Sequence, residues 1–276
     1  MDEVVRQPAG TRMIALCDGI EIAYDDVGSG PPIAFIHGFP HNRSLWSPQL
    51  GALVDRARCI APDLRGFGES SRHGPYTIDQ YADDVAMLLK ELDIEHAVVV
   101  GLSMGGYVAF ALWRRHRALV RALVLADTRA GADTDEGRNK RRALIDVART
   151  RGSDAVAAAQ IVGMIGKTTR DKRPALIDDV HRMLARANVD GIVGALEAMM
   201  ARIDSTPTLA TIDVPTLVIV GDEDVLTPKS ESQILHDAIR GSRLEVIEHA
   251  GHVSNMERPA AFNHVLSEFI ASLDYS

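Results

Sequence analysis

The chain has 276 residues, 46% of them apolar and 25% charged, a composition too apolar for disorder and too mixed for a membrane protein. Its 30 Lys and Arg stand against 38 Asp and Glu, a formal charge of −8 at pH 7. That is the wrong sign for a domain that holds DNA or RNA by neutralising phosphates, and the one dense basic run, at 138–142, spans about a turn of helix and reads as a solvated face. No nucleic-acid partner is expected. Cys17 and Cys59 lie far apart with no CxxC or Cys/His spacing, so they imply neither a disulfide framework nor a metal site.

In chain order, Met1-Asp2-Glu3 is acidic where a secretory signal needs a basic start and an apolar stretch, which predicts a cytoplasmic protein. Residues 12–27 read as two antiparallel strands around a tight turn at Asp18-Gly19. The Gly-Ser-Gly-Pro-Pro stretch at 28–32 then punctuates the approach to the first central strand. Apolar runs follow at 33–36, 59–61, 97–100, 122–126, 216–220 and 244–247. Runs without polar alternation suit strands buried on both faces, and the helical stretches between them supply the crossovers a parallel sheet needs, so the fold class is α/β. The longest uncharged window, 96–113, carries Gly101, Ser103, Gly105 and Gly106 in its middle and reads as strand, turn and helix, not a membrane span.

The strand spacing fails once. Between 127 and 214 only helical patterns occur, at 134–150, 153–162, 174–187 and 191–203, with Thr206-Pro207 as a return linker. Helices without strands cannot extend a parallel sheet. The organisation expected is therefore a core of residues 1–128, an inserted helical cap at 129–209, and the rest of the core at 210–276.

Gly101-Leu102-Ser103-Met104-Gly105-Gly106 joins a strand to a helix, the context that the G-x-S-x-G pattern requires. A sharp turn there exposes the Ser103 hydroxyl and leaves no room for side chains two residues to either side. It also sets the Met104 N–H at a helix N-terminus, where negative charge is stabilised. A serine hydroxyl is a weak nucleophile until an imidazole takes its proton, and the imidazole needs a carboxylate on its other nitrogen. Candidates for both follow later strands: Gly221-Asp222-Glu223-Asp224-Val225-Leu226-Thr227-Pro228 after 216–220, and Ala250-Gly251-His252 after 244–247.

With His37-Gly38-Phe39-Pro40, the Pro62-Asp63-Leu64-Arg65-Gly66-Phe67-Gly68-Glu69-Ser70 segment, and Glu257 and Pro259 added, the chain resembles a serine α/β-hydrolase of the esterase and lactonase type along essentially its whole length. The resemblance implies an α/β-hydrolase fold, a mostly parallel sheet with helices on both faces and an inserted cap. It implies a catalytic triad of Ser103, Asp224 and His252, with the Phe39 and Met104 backbone N–H groups as oxyanion hole. Asp127, which ends the strand before the insertion, and Asp222 compete for the acid; His249 competes for the base. His37 and His41 have i, i+4 spacing, but Pro40 between them argues against a metal pair, and Asp63 and Arg65 are expected to brace a loop, Arg65 in a buried ion pair. Serine rather than aspartate at 103 favours acyl transfer over epoxide opening or dehalogenation.

The expected activity is hydrolysis of small, fairly apolar esters through an acyl-enzyme, with no cofactor and no metal. An enol-lactonase, a carbon–carbon bond hydrolase and a cofactor-free perhydrolase could use the same triad, and some relatives with an intact triad serve as signalling receptors or stress regulators. Met164, Met183 and Met199 on the cap are candidate pocket liners, alongside Ile165, Leu184 and Met200.

Overall fold

The structure is a computed structural model and describes residues 11–274, so the acidic start at 1–3 lies outside the described residues. β1 (Thr11–Cys17) and β2 (Ile20–Val27) pair antiparallel, with Cys17 opposite Ile20. Asp18 and Gly19 between them both have positive φ, 48° and 78°, as a two-residue hairpin loop of this twist demands. The apolar runs form β3 (Pro32–Ile36), β4 (Arg58–Pro62), β5 (Ala97–Leu102), β6 (Val120–Ala126), β7 (Thr216–Gly221) and β8 (Arg243–Ile247). Among the described residues they make one eight-stranded sheet in the order β1-β2-β4-β3-β5-β6-β7-β8. It is parallel from β4 to β8.

Both faces of the sheet are covered, and this is why its strands carry no polar alternation. Phe35, Val98, Val100 and Ile219 pack on one face under α1 (Ser47–Leu53) and α11 (Pro259–Ala271), which contribute Leu50, Leu53, Phe262 and Leu266. Ile36, Val99, Leu125 and Val218 pack on the other under α2 (Ile78–Glu91), α3 (Met104–Arg115) and α9 (Lys229–Ala238). β8 departs from the expectation of two buried faces: its residues are half-buried or exposed up to Ile247, because among the described residues it is the sheet edge and has β7 as its one strand neighbour.

Between β6 and β7 the described chain is helical: α4 (Asp135–Met164), α5 (Lys167–Lys172), α6 (Pro174–Ala185), α7 (Val189–Ala201) and α8 (Thr206–Leu209). Thr134 caps α4 by accepting from the Gly137 N–H, and Asp135 and Glu136 in the first turn suit the helix dipole. Gly152, at φ 80° and ψ −177°, interrupts α4 where the two helical patterns at 134–150 and 153–162 meet. α8 occupies the stretch read as a linker, with Pro207 in its first turn, where the missing N–H costs nothing. α5 is too short for its periodicity to show. Tertiary bonds hold it: the Gly166 N–H donates to Glu257 (2.9 Å) and the Thr168 N–H to Glu223 (2.7 Å). α10 (Ser254–Glu257) follows β8. No helix of the described residues is long and apolar enough to cross a membrane.

Candidate active site

Ser103 links β5 to α3 with φ 55° and ψ −113°. A non-glycine residue in such a conformation costs on the order of 1–3 kcal/mol, so the surroundings must over-determine it. They do. A side chain at Gly101 would run into the Gly105 carbonyl, and one at Gly105 into the Ile36 carbonyl of β3. The Ser103 N–H donates to the Ala126 carbonyl of β6 (2.9 Å), and the Ser103 carbonyl accepts from the Gly106 N–H (2.9 Å) and the Thr128 hydroxyl (2.7 Å). Met104 is the first residue of α3, so its N–H has no carbonyl within the helix and is available to an anion.

His252 sits on the loop between β8 and α10, buried, with its backbone N–H donating to the Met164 carbonyl at the end of α4 (2.8 Å). Its Nε2 lies 2.8 Å from Ser103 Oγ and its Nδ1 2.8 Å from Asp224 Oδ2. Asp224 follows β7 and is buried. Its Oδ1 accepts from the Leu226 and Thr227 N–H groups (2.8 and 3.0 Å), and its Oδ2 from the Thr227 hydroxyl (2.6 Å). Burial opposes ionisation of both groups, but each charge favours the other: Asp224 is held below the usual carboxylate range and His252 above the usual imidazole value. Thr227, 3.2 Å from His252 Nδ1 as well, escapes sequence reasoning, although a hydroxyl three residues after an aspartate in a turn is a recurring local partner.

The two rival aspartates are bonded elsewhere. Asp127 is buried at the end of β6, accepting from the Gly221 N–H (2.9 Å) and the Ser254 hydroxyl (2.5 Å). Burial and the nearby Asp224 charge push its carboxyl well up, toward the neutral form. Asp222 is exposed and accepts from the Ala250 N–H (3.2 Å); His249 is exposed. His37 uses both ring nitrogens on backbone, accepting from the Leu64 N–H at Nε2 (3.0 Å) and donating from Nδ1 to the Gly38 carbonyl (2.8 Å). His41 is buried against it, and burial together with His37 and His252 pushes its pKa down to about 3, so it is neutral. Arg65 makes a buried two-pronged ion pair with Asp84 (2.6 and 2.5 Å), and Asp63 accepts from the Arg43 and Glu69 N–H groups (2.7 and 2.9 Å).

A cavity of about 370 Å³ opens onto Ser103 and His252. Phe39, Met164 and Met199 line it, with Tyr107 and Leu196. Met183 is not among its lining residues; it is half-buried on α6, packed against the apolar cluster that also holds Ala157 and Leu184. The basic run at 138–142 is not the uniform solvated face its sequence suggested. Lys140 and Arg141 line the cavity, and Arg141 bonds a buried carboxylate, Asp133, at 2.5 Å.

The family model described as alpha/beta hydrolase fold matches residues 31–259. A 3-oxoadipate enol-lactonase of Acinetobacter baylyi is 32% identical over 86% of this chain and 87% of its own. Among solved structures, a thermophilic esterase from Thermogutta terrifontis, studied with malate bound, superposes with a TM-score of 0.91 at 36% identity, covering 95% of this chain and 99% of its own. An enol-lactonase from Burkholderia xenovorans superposes with a TM-score of 0.87 at 31% identity, covering 94% and 100%. With a serine, a histidine and a carboxylate hydrogen-bonded in series at the sheet's carboxyl end, the chain belongs to the alpha/beta hydrolase family, as a serine hydrolase of the esterase and lactonase type.

Proposed function

We propose that Ser103 is the nucleophile, His252 the general base and then acid, and Asp224 the group that orients the imidazole and stabilises its cation. Ser103 Oγ attacks the ester carbonyl while His252 Nε2 takes its proton. The Phe39 and Met104 N–H groups hold the oxyanion, the alcohol leaves with the proton from His252, and water activated by the same nitrogen releases the acid. Every step uses groups of the chain and water. The observation that carries this reading is the unbroken series Ser103–His252–Asp224, two contacts of 2.8 Å at the mouth of a cavity.

The substrate proposed is a small ester whose acyl part lies against Met164 and Met199. Residues 129–209 act as a cap over a core made of 1–128 and 210–276, a reading supported by the Met164 carbonyl bonded to the His252 N–H. A lactone is the second reading, favoured by the two enol-lactonase relatives; ring opening uses the same acyl-enzyme, with the alcohol kept in one molecule. A cytoplasmic setting suits Cys17 and Cys59, both buried free thiols. A fluorophosphonate should label Ser103, with the adduct mapped by peptide mass spectrometry, and Ser103→Ala should abolish ester turnover. Label on another serine, or near wild-type turnover in the variant, would sink the assignment.

A further inference from the structure

One wall of the cavity carries more positive charge than the described residues neutralise. Asp133, whose side chain is fully buried, faces three guanidinium groups: Arg129 (3.1 Å), Arg141 (2.5 Å) and Arg202 (2.7 Å). Burial would raise the Asp133 carboxyl, but Arg141 and Arg202 hold it below the usual range, so it is an anion with a single charge for three cations. Arg202 approaches from behind: its side chain is 3% exposed, it also donates to the Met199 and Gly131 carbonyls, and its guanidinium lies 4.1 Å from the centre of the Tyr107 ring. Arg129 and Arg141 are on the cavity side and line it together with Ser103. The Arg129 Nε is buried and has no hydrogen-bond acceptor among the described residues. Other charges nearby do not supply the missing anion. Lys140 and Glu136, which also line the cavity, are exposed and pair with each other (2.7 Å), Arg138 pairs with Asp135, Glu231, the further carboxylate acting on Arg129, is half-exposed, and the Tyr107 hydroxyl, a further hydrogen-bond partner of Arg129, is not a carboxylate.

Two part-buried guanidinium groups sharing one carboxylate, at the wall of a cavity whose other end holds the nucleophile, are an arrangement that an anion completes. We propose that Arg129 and Arg141 form a carboxylate subsite, and that the substrate is an ester or lactone whose acyl part ends in a carboxylate. The proposal rests on the hydrolase reading above for the placement of the reacting carbonyl, and on the Asp133 cluster for the charge. The apolar residues between the two ends, Met164, Met199 and Leu196, then contact the methylenes that join the two carbonyl carbons.

The test compares monoethyl glutarate with diethyl glutarate by pH-stat, taking the ratio of their kcat/KM values in the wild type and in Arg141→Gln and Arg129→Gln. Charge-assisted hydrogen bonds to a desolvated carboxylate predict a ratio about 10- to 100-fold lower in each variant, and Arg141→Lys, which keeps the charge, should lose less. Glutarate binding, read by calorimetry, should weaken about tenfold or more in the same variants, independent of turnover. An unchanged ratio and unchanged glutarate affinity in folded variants would overturn the proposal and leave the cluster as a brace of the segment before α4. Should Arg129→Gln fail to fold, Arg141→Gln decides, since it leaves Asp133 two guanidinium partners. If the wild type cleaves neither ester yet glutarate binding depends on both arginines, the subsite stands and the hydrolase reading falls; if both esters are cleaved at a ratio the variants do not move, the subsite alone falls.

Discussion

Replacing Asp224 by Asn removes a charge while keeping the shape, and the structure dictates how the amide must sit. Oδ1 of Asp224 accepts from two backbone N–H groups, Leu226 and Thr227, so the amide oxygen has to occupy that position. The NH2 group then takes the place of Oδ2 and points at His252 Nδ1, 2.8 Å away. A donor there forces Nδ1 to accept, which puts the imidazole proton on Nε2, facing Ser103 Oγ. A base already protonated on that nitrogen cannot take the serine proton. The loss should be on the order of 10⁴ in kcat, or about 5 kcal/mol of barrier, by analogy with the same substitution in other serine triads. Asp127→Asn should behave differently, because its amide can keep both existing bonds, accepting from the Gly221 N–H and donating to Ser254 Oγ; a loss below about tenfold is expected. The assay is initial-rate hydrolysis of a short-chain chromogenic ester, with circular dichroism melting of each variant as the folding control. If folded Asp224→Asn stayed within tenfold of wild type, or if Asp127→Asn lost more, the tautomer argument would be wrong and the acid would belong to the strand before the insertion.

The remaining expectations concern pH, selectivity and stability. Burial lowers the His252 pKa, but Asp224 outweighs it and the net shift is upward from 6.5; since the base works neutral, kcat/KM should fall as pH drops through a value above 6.5, and in Asp224→Asn the residual activity should show that limb at lower pH. A limb below 6.5 in the wild type, measured from pH 5 to 9, would contradict this. Met199→Ala should reorder kcat/KM across a series of acyl chain lengths, because a methylene in an apolar pocket is worth roughly 1–3 kcal/mol, whereas Met183→Ala, away from the cavity, should change the melting temperature and leave the order alone. Equal effects on the series would deny Met199 its place in the pocket. Arg65→Ala strands the buried Asp84 carboxylate and should cost about 3–5 kcal/mol, a melting temperature lower by roughly 5–15 °C; a drop under 2 °C or so would mean that Asp84 finds another partner.

The strands, the serine turn and the run of helices between β6 and β7 were all legible in the sequence, because each rests on a local requirement. A strand buried on both faces must be apolar throughout, as 97–100 is, and a turn that forces Ser103 to φ 55° tolerates only glycine at 101 and 105, where any side chain would strike a carbonyl. Other features depended on which distant segments meet. Asp127, Asp222 and Asp224 all follow strands, and their order along the chain does not say which faces an imidazole. The parallel pairing of β6, β7 and β8 decides that, by setting Asp127 under Gly221 and Ser254 while the loop after β7 turns Asp224 toward His252. Likewise, helical periodicity in 138–142 reports charge and exposure along one helix, and it could not reveal that Arg141 leans on a buried Asp133 or that Arg202, 69 positions from that carboxylate, arrives on its other side. Burial patterns are written into neighbouring residues because each side chain must suit its own environment. Charge compensation is a sum over groups that only folding brings within reach, and it is decided by the tertiary structure.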